Sequence, residues 1–340
     1  MMVDASRKTI SDAPPSDAGA GRTLTLGTGT SLVILLLLLV APLFVKNFIV
    51  FQLTTVLIYG IAVLALNILT GGSGQFSLGH SAFYALGAYT SAILIEHAGV
   101  NYVLTLPVSG IVCFAAGFLF GLPALRLSGV YLALATFALA VATPQLLKLG
   151  ALEPWTGGVQ GLVVDKPDAP FGLPVSQDAW LYYFTLAITI AIYIASVNLL
   201  SSRSGRAMMA IRDNEIAAAA MGINVALYKT LAFGVSAGIT GIAGGLGAIA
   251  VQYVAPDSFT IQLAIALFLG MVVGGVGWLP GSLVGAAFIV FIPNVAESIS
   301  KGLSGAVFGV LLLVVIFLVP DGARQVAQAL GNVIGRFKKG

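Results

Sequence analysis

Charge is what this 340-residue sequence has least of: Asp, Glu, Lys and Arg make up 9% of it, against roughly 25% in an ordinary globular domain. Sixteen Lys and Arg and thirteen Asp and Glu cannot cover a soluble chain of this length, and hydrophobic residues fill 58% of it. That excludes an ordinary soluble protein. A net charge of +3, carried by scattered cations, provides no phosphate-tracking surface and excludes a nucleic-acid binder. Cysteine occurs once, at Cys113 in an apolar run, so no intramolecular disulfide can form. The two histidines, His80 and His97, have no partner at metal-ligand spacing, and no metal site is expected. No lysine follows a glycine, so there is no P-loop and no ATPase site in the chain itself. No cluster of ionisable groups falls at membrane depth. The chain therefore reads as a non-enzyme, with no catalytic residue assigned and no cofactor of its own.

What is there lies between the charges. No charged residue occurs over 23–45, 47–95, 97–125, 127–147, 179–202, 230–256, 258–296 or 302–320. A spanning helix needs about 20 predominantly apolar residues, so the two longest stretches, 47–95 and 258–296, are each long enough for two spans. Runs such as Leu32 to Val40 lack the alternation of a membrane barrel strand. The fold class expected is all-α, a polytopic membrane protein with about ten transmembrane helices, some of them broken. Basic residues cluster in the first 22 residues, between Ser201 and Lys229, and after Arg324. If all three regions are cytoplasmic, ten spans satisfy the parity, six before the middle loop and four after it. The connection from Lys148 to Asp178 then lies outside. The organisation expected is a disordered tail over 1–28, a transmembrane domain over 29–322 containing a cytoplasmic loop over 200–228, and a cytoplasmic tail over 323–340. The run from Ser31 reads as an uncleaved first helix rather than a signal peptide, since 23–45 is long enough to span.

Two glycine-rich stretches interrupt the helical pattern. Gly71-Gly72-Ser73-Gly74-Gln75-Phe76-Ser77-Leu78-Gly79-His80 lies inside the longest charge-free run. Unwound backbone at membrane depth must be buried in protein or line a wet cavity, so Gly72, Gln75, Ser77 and His80 are candidates for a translocation path. Topology favours the plainer reading, a turn between the second and third spans. The second stretch carries Gly270, Gly274, Gly275, Gly277, Gly281 and Gly285, with Pro280 interrupting any continuous ladder. The ladders Gly234-x3-Gly238 and Gly241-x3-Gly245 permit close helix packing, within one bundle rather than across a dimer. The two breaks occupy comparable places in the two halves of the chain and hint at an internal repeat. The absence of carboxylates at membrane depth argues against a proton-coupled carrier and leaves a sodium site built from backbone open.

The segment Ser204 to Asn224 is the most informative. It is helix-prone from Arg206 to Met221 and stops at Gly222. Met208, Ile211, Ile216 and Met221, interleaved with charge, predict a short amphipathic helix. Such a helix either lies on the membrane surface or docks into a groove on a soluble partner. Periodicity alone leaves the two open.

The runs Leu66 to Gly71, Gly74 to Phe83 and Gly87-Ala88-Tyr89 resemble the permeases of high-affinity branched-chain amino acid ABC importers. So do Arg126 to Ala133, Thr156-Gly157-Gly158, Gly205 to Asn224, Ser258-Phe259 and Gly274 to Gly277. The similarity covers about residue 50 to residue 320 and is closest to the LivM-type member of the permease pair. It implies that 29–322 is the permease domain and that 200–228 is a coupling loop for separate ATP-binding subunits. The coupling residues implied are Arg206, Ile211, Arg212, Asp213, Glu215, Ala217, Ala218 and Gly222; Ile216 stands where the family has its first Ala. The resemblance further implies a second permease subunit, two ATP-binding subunits that use the ATP, and a periplasmic amino-acid-binding protein. It implies a multi-pass protein of the bacterial cytoplasmic (inner) membrane, surrounded by lipid, with both termini cytoplasmic. The function expected is ATP-driven import of branched-chain or related amino acids. The alternatives are a urea, amide or aromatic-acid importer of the same build, or an ion-coupled secondary carrier.

Overall fold

The structure is a computed structural model that describes residues 36–42, 44–127, 129–169 and 176–299, with scattered positions between 309 and 325. The tails expected over 1–28 and 323–340, and most of the spans expected over 23–45 and 302–320, lie outside the described residues or largely so. The long helices are α1 (Asn47–Asn67), α2 (His80–Ala98), α3 (Tyr102–Ala124), α4 (Val130–Leu147), α6 (Gln177–Ser201), α9 (Val225–Val251), α10 (Ile261–Gly274) and α11 (Gly281–Ile299). Between them lie the single turn α5 (Glu153–Thr156) and two short helices, α7 (Arg203–Asp213) and α8 (Glu215–Ala220). The only strands among the described residues are β1 (Leu162–Val163) and β2 (Tyr253–Val254).

The fold is helical, as expected, and each of the two longest charge-free stretches holds two helices. The count of ten spans is not confirmed. Among the described residues six helices are long and apolar enough to cross a membrane: Asn47–Gly72, α3, α4, α6, α9 and Pro256–Gly274. The apolar helix Gly281–Glu297 is shorter. α2, 19 residues long, is not among the six. Its sequence carries His80, Ser81, Tyr84, Tyr89, Thr90, Ser91, Glu96 and His97, and most of its residues face protein rather than the outside of the bundle.

α9 is the axis of the molecule. Most of its residues are buried, and α3, α2 and α1 pack along it. The close approach is made possible by glycine. A methyl group added at Gly244 would fall 2.0 Å from the Tyr84 carbonyl oxygen, and one at Gly87 would fall 2.1 Å from that of Gly241. Gly234, Gly238, Gly241 and Gly245 all face α2 or α3, so both ladders serve packing within this bundle. The second glycine-rich stretch does the same for the α10–α11 hairpin, where Gly270 meets Gly285 and Gly274 meets Gly281. Without a hydrophobic force between helices in lipid, such small-residue contacts let backbone meet backbone.

The two ends of α9, 27 residues and about 40 Å apart, are built differently. Beyond Val251, β2 pairs antiparallel with β1, with Leu162 opposite Val254 and Val163 opposite Tyr253. Lys148 reaches Asp257 at 2.6 Å, so the 148–178 connection is fastened over this end. At the other end sit the glycine-rich break after α1, the turn between α10 and α11, and the pair α7 and α8.

Candidate functional site

The segment expected as one amphipathic helix is two. α6 turns sharply into α7, whose N-cap is Ser202, its hydroxyl accepting from the Gly205 amide at 3.3 Å. α7 ends at Asp213 because Asn214 is extended (φ −159°, ψ 106°). The Asn214 side chain then accepts from the Ala217 amide at 3.0 Å and starts α8. Asn competes with the helical backbone for hydrogen bonds and favours such caps. α8 stops as its sequence predicts: Gly222 is left-handed (φ 85°), with its amide on the Ala219 carbonyl and the Ile223 amide on that of Ala218. That is the two-bond glycine stop. Asn224 caps α9 in turn, accepting from the Leu227 amide at 3.0 Å.

The break divides the apolar residues between two surfaces. Ala207, Met208 and Ile211 of α7 are buried, and Met208 enters a cluster with Leu69, Phe83, Leu132 and Phe233. On α8 only Ala218 is buried, while Ile216 at its start and Met221 just past its end are each 84% exposed. Of the expected coupling residues, Ile211 and Ala218 therefore point into the protein. Arg206, Arg212, Asp213, Glu215, Ala217 and Gly222 are exposed. Arg206 donates to the Ser201 carbonyl at 2.8 Å, and Glu215 pairs with Lys229 at 2.5 Å. Arg212 donates from Nη1 to the Gly71 carbonyl at 2.7 Å and, through Nε and Nη2, to Asp213.

Gly71 belongs to the π-helical end of α1, Ile68–Gly72. The residues that follow connect α1 to α2, as the topological argument favours, and alternate in burial: Ser73, Gln75, Ser77 and His80 are closed off from solvent, while Gly74 and Phe76 are exposed. Gln75 donates to the Ser73 hydroxyl at 3.0 Å and to the Lys229 carbonyl at 3.1 Å. Gly72 is buried against Leu200. His80 has both ring nitrogens occupied, Nδ1 by the Ser77 hydroxyl at 3.1 Å and Nε2 by that of Ser236 at 2.7 Å. Ser236 donates to the Ala65 carbonyl at 2.6 Å, so its oxygen accepts the Nε2 proton and Nδ1 accepts from Ser77. This order fits a neutral imidazole that fastens α2 to α9 and α1.

The second glycine-rich turn meets the first. The Asn67 amide group donates to the carbonyls of Gly275 (3.2 Å) and Trp278 (3.1 Å), and its oxygen accepts from the Gly277 amide at 2.6 Å. A methyl group at Gly71 would fall 2.5 Å from the Gly277 Cα. The two breaks that hinted at a repeat thus touch each other, with α7 against one of them.

Sequence reasoning missed Asn67, Ser236 and Lys229 as parts of this site. Ser236 carried a visible signal, since Gly234-Val235-Ser236-Ala237-Gly238 spells Gly-x-Ser-x-Gly. A nucleophile elbow places that serine on a strand-to-helix turn with its oxygen exposed. Here the motif lies in mid-helix, with Ser236 fully buried. Asn67 could be read only as a lone polar residue before a glycine run. Among the described residues no three His, Cys, Asp or Glu side chains come together as metal ligands.

A family model described as the branched-chain amino acid transport system / permease component matches residues 48–319. The chain is 34% identical over 247 residues to the high-affinity branched-chain amino acid transport system permease protein LivM of Escherichia coli (strain K12), covering 66% of this chain and 58% of that one. The same figures hold for LivM of Salmonella typhimurium. A probable branched-chain amino acid transport permease protein LivM of Methanocaldococcus jannaschii is 25% identical over 269 residues, covering 74% of this chain and 76% of that one. The chain thus spans 58% of the length of the first two relatives. No solved structure matches.

Proposed function

Because the chain belongs to the family of branched-chain amino acid transport permease components, we propose that it is a membrane permease subunit of an ATP-driven importer of branched-chain or related amino acids, with α8 as the docking element for separate ATPase subunits. The observation that carries the proposal is the pairing of an embedded helix with an exposed apolar one. α7 is sunk into the bundle through Met208 and Ile211, while α8 presents Ile216 and Met221 outward. Exposed apolar residues on a short rigid helix suit a groove in a partner. Arg206, Asp213, Glu215, Ala217 and the Gly222 turn lie exposed on the same loop, Ile211 and Ala218 face the protein, and Arg212 reaches the Gly71 carbonyl.

In this reading the chain crosses the bacterial inner membrane ten times, with both termini and the 200–228 loop cytoplasmic. A second permease completes the pore, a periplasmic binding protein delivers the amino acid, and two ATPases supply the energy. ATP-driven approach of the ATPases displaces α8, and the bundle shifts toward the conformation to which the closed ATPases bind better. Gly72, Gln75, Ser77 and His80 form the inner wall of the path. Their own hydrogen bonds engage most of their polar groups, so they shape the wall rather than ligate solute.

The test is reconstitution of all subunits in vesicles. Hydrolysis stimulated by the loaded binding protein, with uptake requiring ATP, is the expected result. Uptake by this chain alone without ATP would overturn the proposal, and uptake that tracks a sodium or proton gradient would replace it with a secondary carrier. Competition among leucine, urea, short amides and aromatic acids for the binding protein identifies the solute.

A further inference from the structure

Two features meet at one side chain. The first is the contact between the glycine breaks, where Gly71 lies against Gly277 and Asn67 binds the backbone of Gly275, Gly277 and Trp278. The second is the embedded helix α7. Arg212, near its end, donates from Nη1 to the carbonyl of Gly71 at 2.7 Å. Carbonyls at a helix C-terminus lack intrahelical donors and favour a cation, so this is a charge-assisted bond at a place that needs one.

The guanidinium is held in direction. Its Nε and Nη2 donate to Asp213 at 3.0 and 2.9 Å, which leaves Nη1 aimed at Gly71. Its aliphatic stem lies under Gly74, where an added methyl group would fall 2.9 Å from the Arg212 Cγ. Although 37% exposed, the side chain touches Gly74 with its stem and Gly71 and Asp213 with its head, and so acts as a strut. The other ties of this region follow a different course: Glu215 pairs with Lys229 of α9, and Gln75 reaches the Lys229 backbone. They fasten α8 and the break to the central helix. Among the described residues, Arg212 carries the side-chain hydrogen bond that joins α7 directly to the break.

We infer that Arg212 is the positioning residue through which movement of α7 and α8 is transmitted to the Gly71–Gly277 contact, and so to the path. The inference rests on the reading of α8 as an ATPase dock. It predicts that losing the strut separates hydrolysis from transport, which a purely structural loss would not do.

The experiment measures ATP hydrolysed and solute taken up by the full reconstituted complex, per inserted chain, for the native protein, R212A, R212Q and R212K. R212A and R212Q are expected to retain the ATPase subunits and hydrolysis within about twofold, while uptake falls about tenfold, the ratio that loss of a charge-assisted hydrogen bond commands. R212K is expected to recover most of the uptake, since an ammonium group can donate to one carbonyl. Uptake unchanged in R212A and R212Q, or hydrolysis and uptake falling together in both, would overturn the inference while the docking reading stood. Failure of the native chain to retain ATPase subunits would overturn the docking reading and this inference with it.

Discussion

α7 and α8 are drawn from one alanine-rich, helix-prone run and are separated by a single residue, yet they do opposite things with their apolar side chains. α7 buries Met208 and Ile211 in the bundle; α8 and its C-cap leave Ile216 and Met221 in the open. Asn214 produces the difference by ending one helix and capping the next. An anchor must be buried and a contact surface must not be, and the residue between the two helices divides the run into one of each. The kink separates holding from touching.

The largest effect should come from attacking the anchor. Met208→Asp or Ile211→Asp places a charge without a partner in the core, which costs upward of about 3 kcal/mol. The yield of inserted, folded chain is expected to collapse, as measured by detergent extraction and thermal melting. Normal yield would mean that α7 is not an anchor.

Attacking the contact surface should leave the fold alone. The double change Ile216→Asp and Met221→Asp is expected to insert and melt normally and to lose co-purifying ATPase subunits by about tenfold or more, as buried apolar anchors dominate interfaces. Undiminished co-purification would move the dock elsewhere. Glu215→Lys should be milder, setting a cation against Lys229 in place of the 2.5 Å pair. Uptake is expected to fall severalfold and to recover in part when Lys229→Glu is added; no recovery would show that Glu215 acts on the partner rather than on Lys229. Asn214→Ala should have the smallest effect, about 1 kcal/mol for a lost cap, seen as a small drop in melting temperature. A large drop would indicate that the kink supports more than α8.

The sequence announced what depends on local composition. Charge-free stretches marked the helices, two in each of the longest, and glycine spacing marked where α9 packs. Gly222 marked the end of α8. What stayed hidden depends on direction and on distant partners. Periodicity over Arg206 to Met221 is compatible with one helix, and only the dihedral angles of Asn214 show two. Asn67 and Gly277 are 210 positions apart, as are many residues that never meet, and the pairing of Arg212 with Gly71 follows from two helix ends arriving together. The glycine-rich break did mark His80 as a candidate. It could not say that two serines occupy the ring. The span count depended on stretches at both ends that lie largely outside the described residues.

The glycine-lined surface of α9 has a consequence for inheritance. A core leucine can be altered in either direction, trimmed or enlarged, and many neighbours of its codon encode something tolerable. At Gly244, where an added methyl group would fall 2.0 Å from the Tyr84 carbonyl oxygen, or at Gly87 against Gly241, every missense change adds atoms. No smaller residue exists to drift to. The most crowded part of the molecule is therefore the part in which mutation has no neutral step.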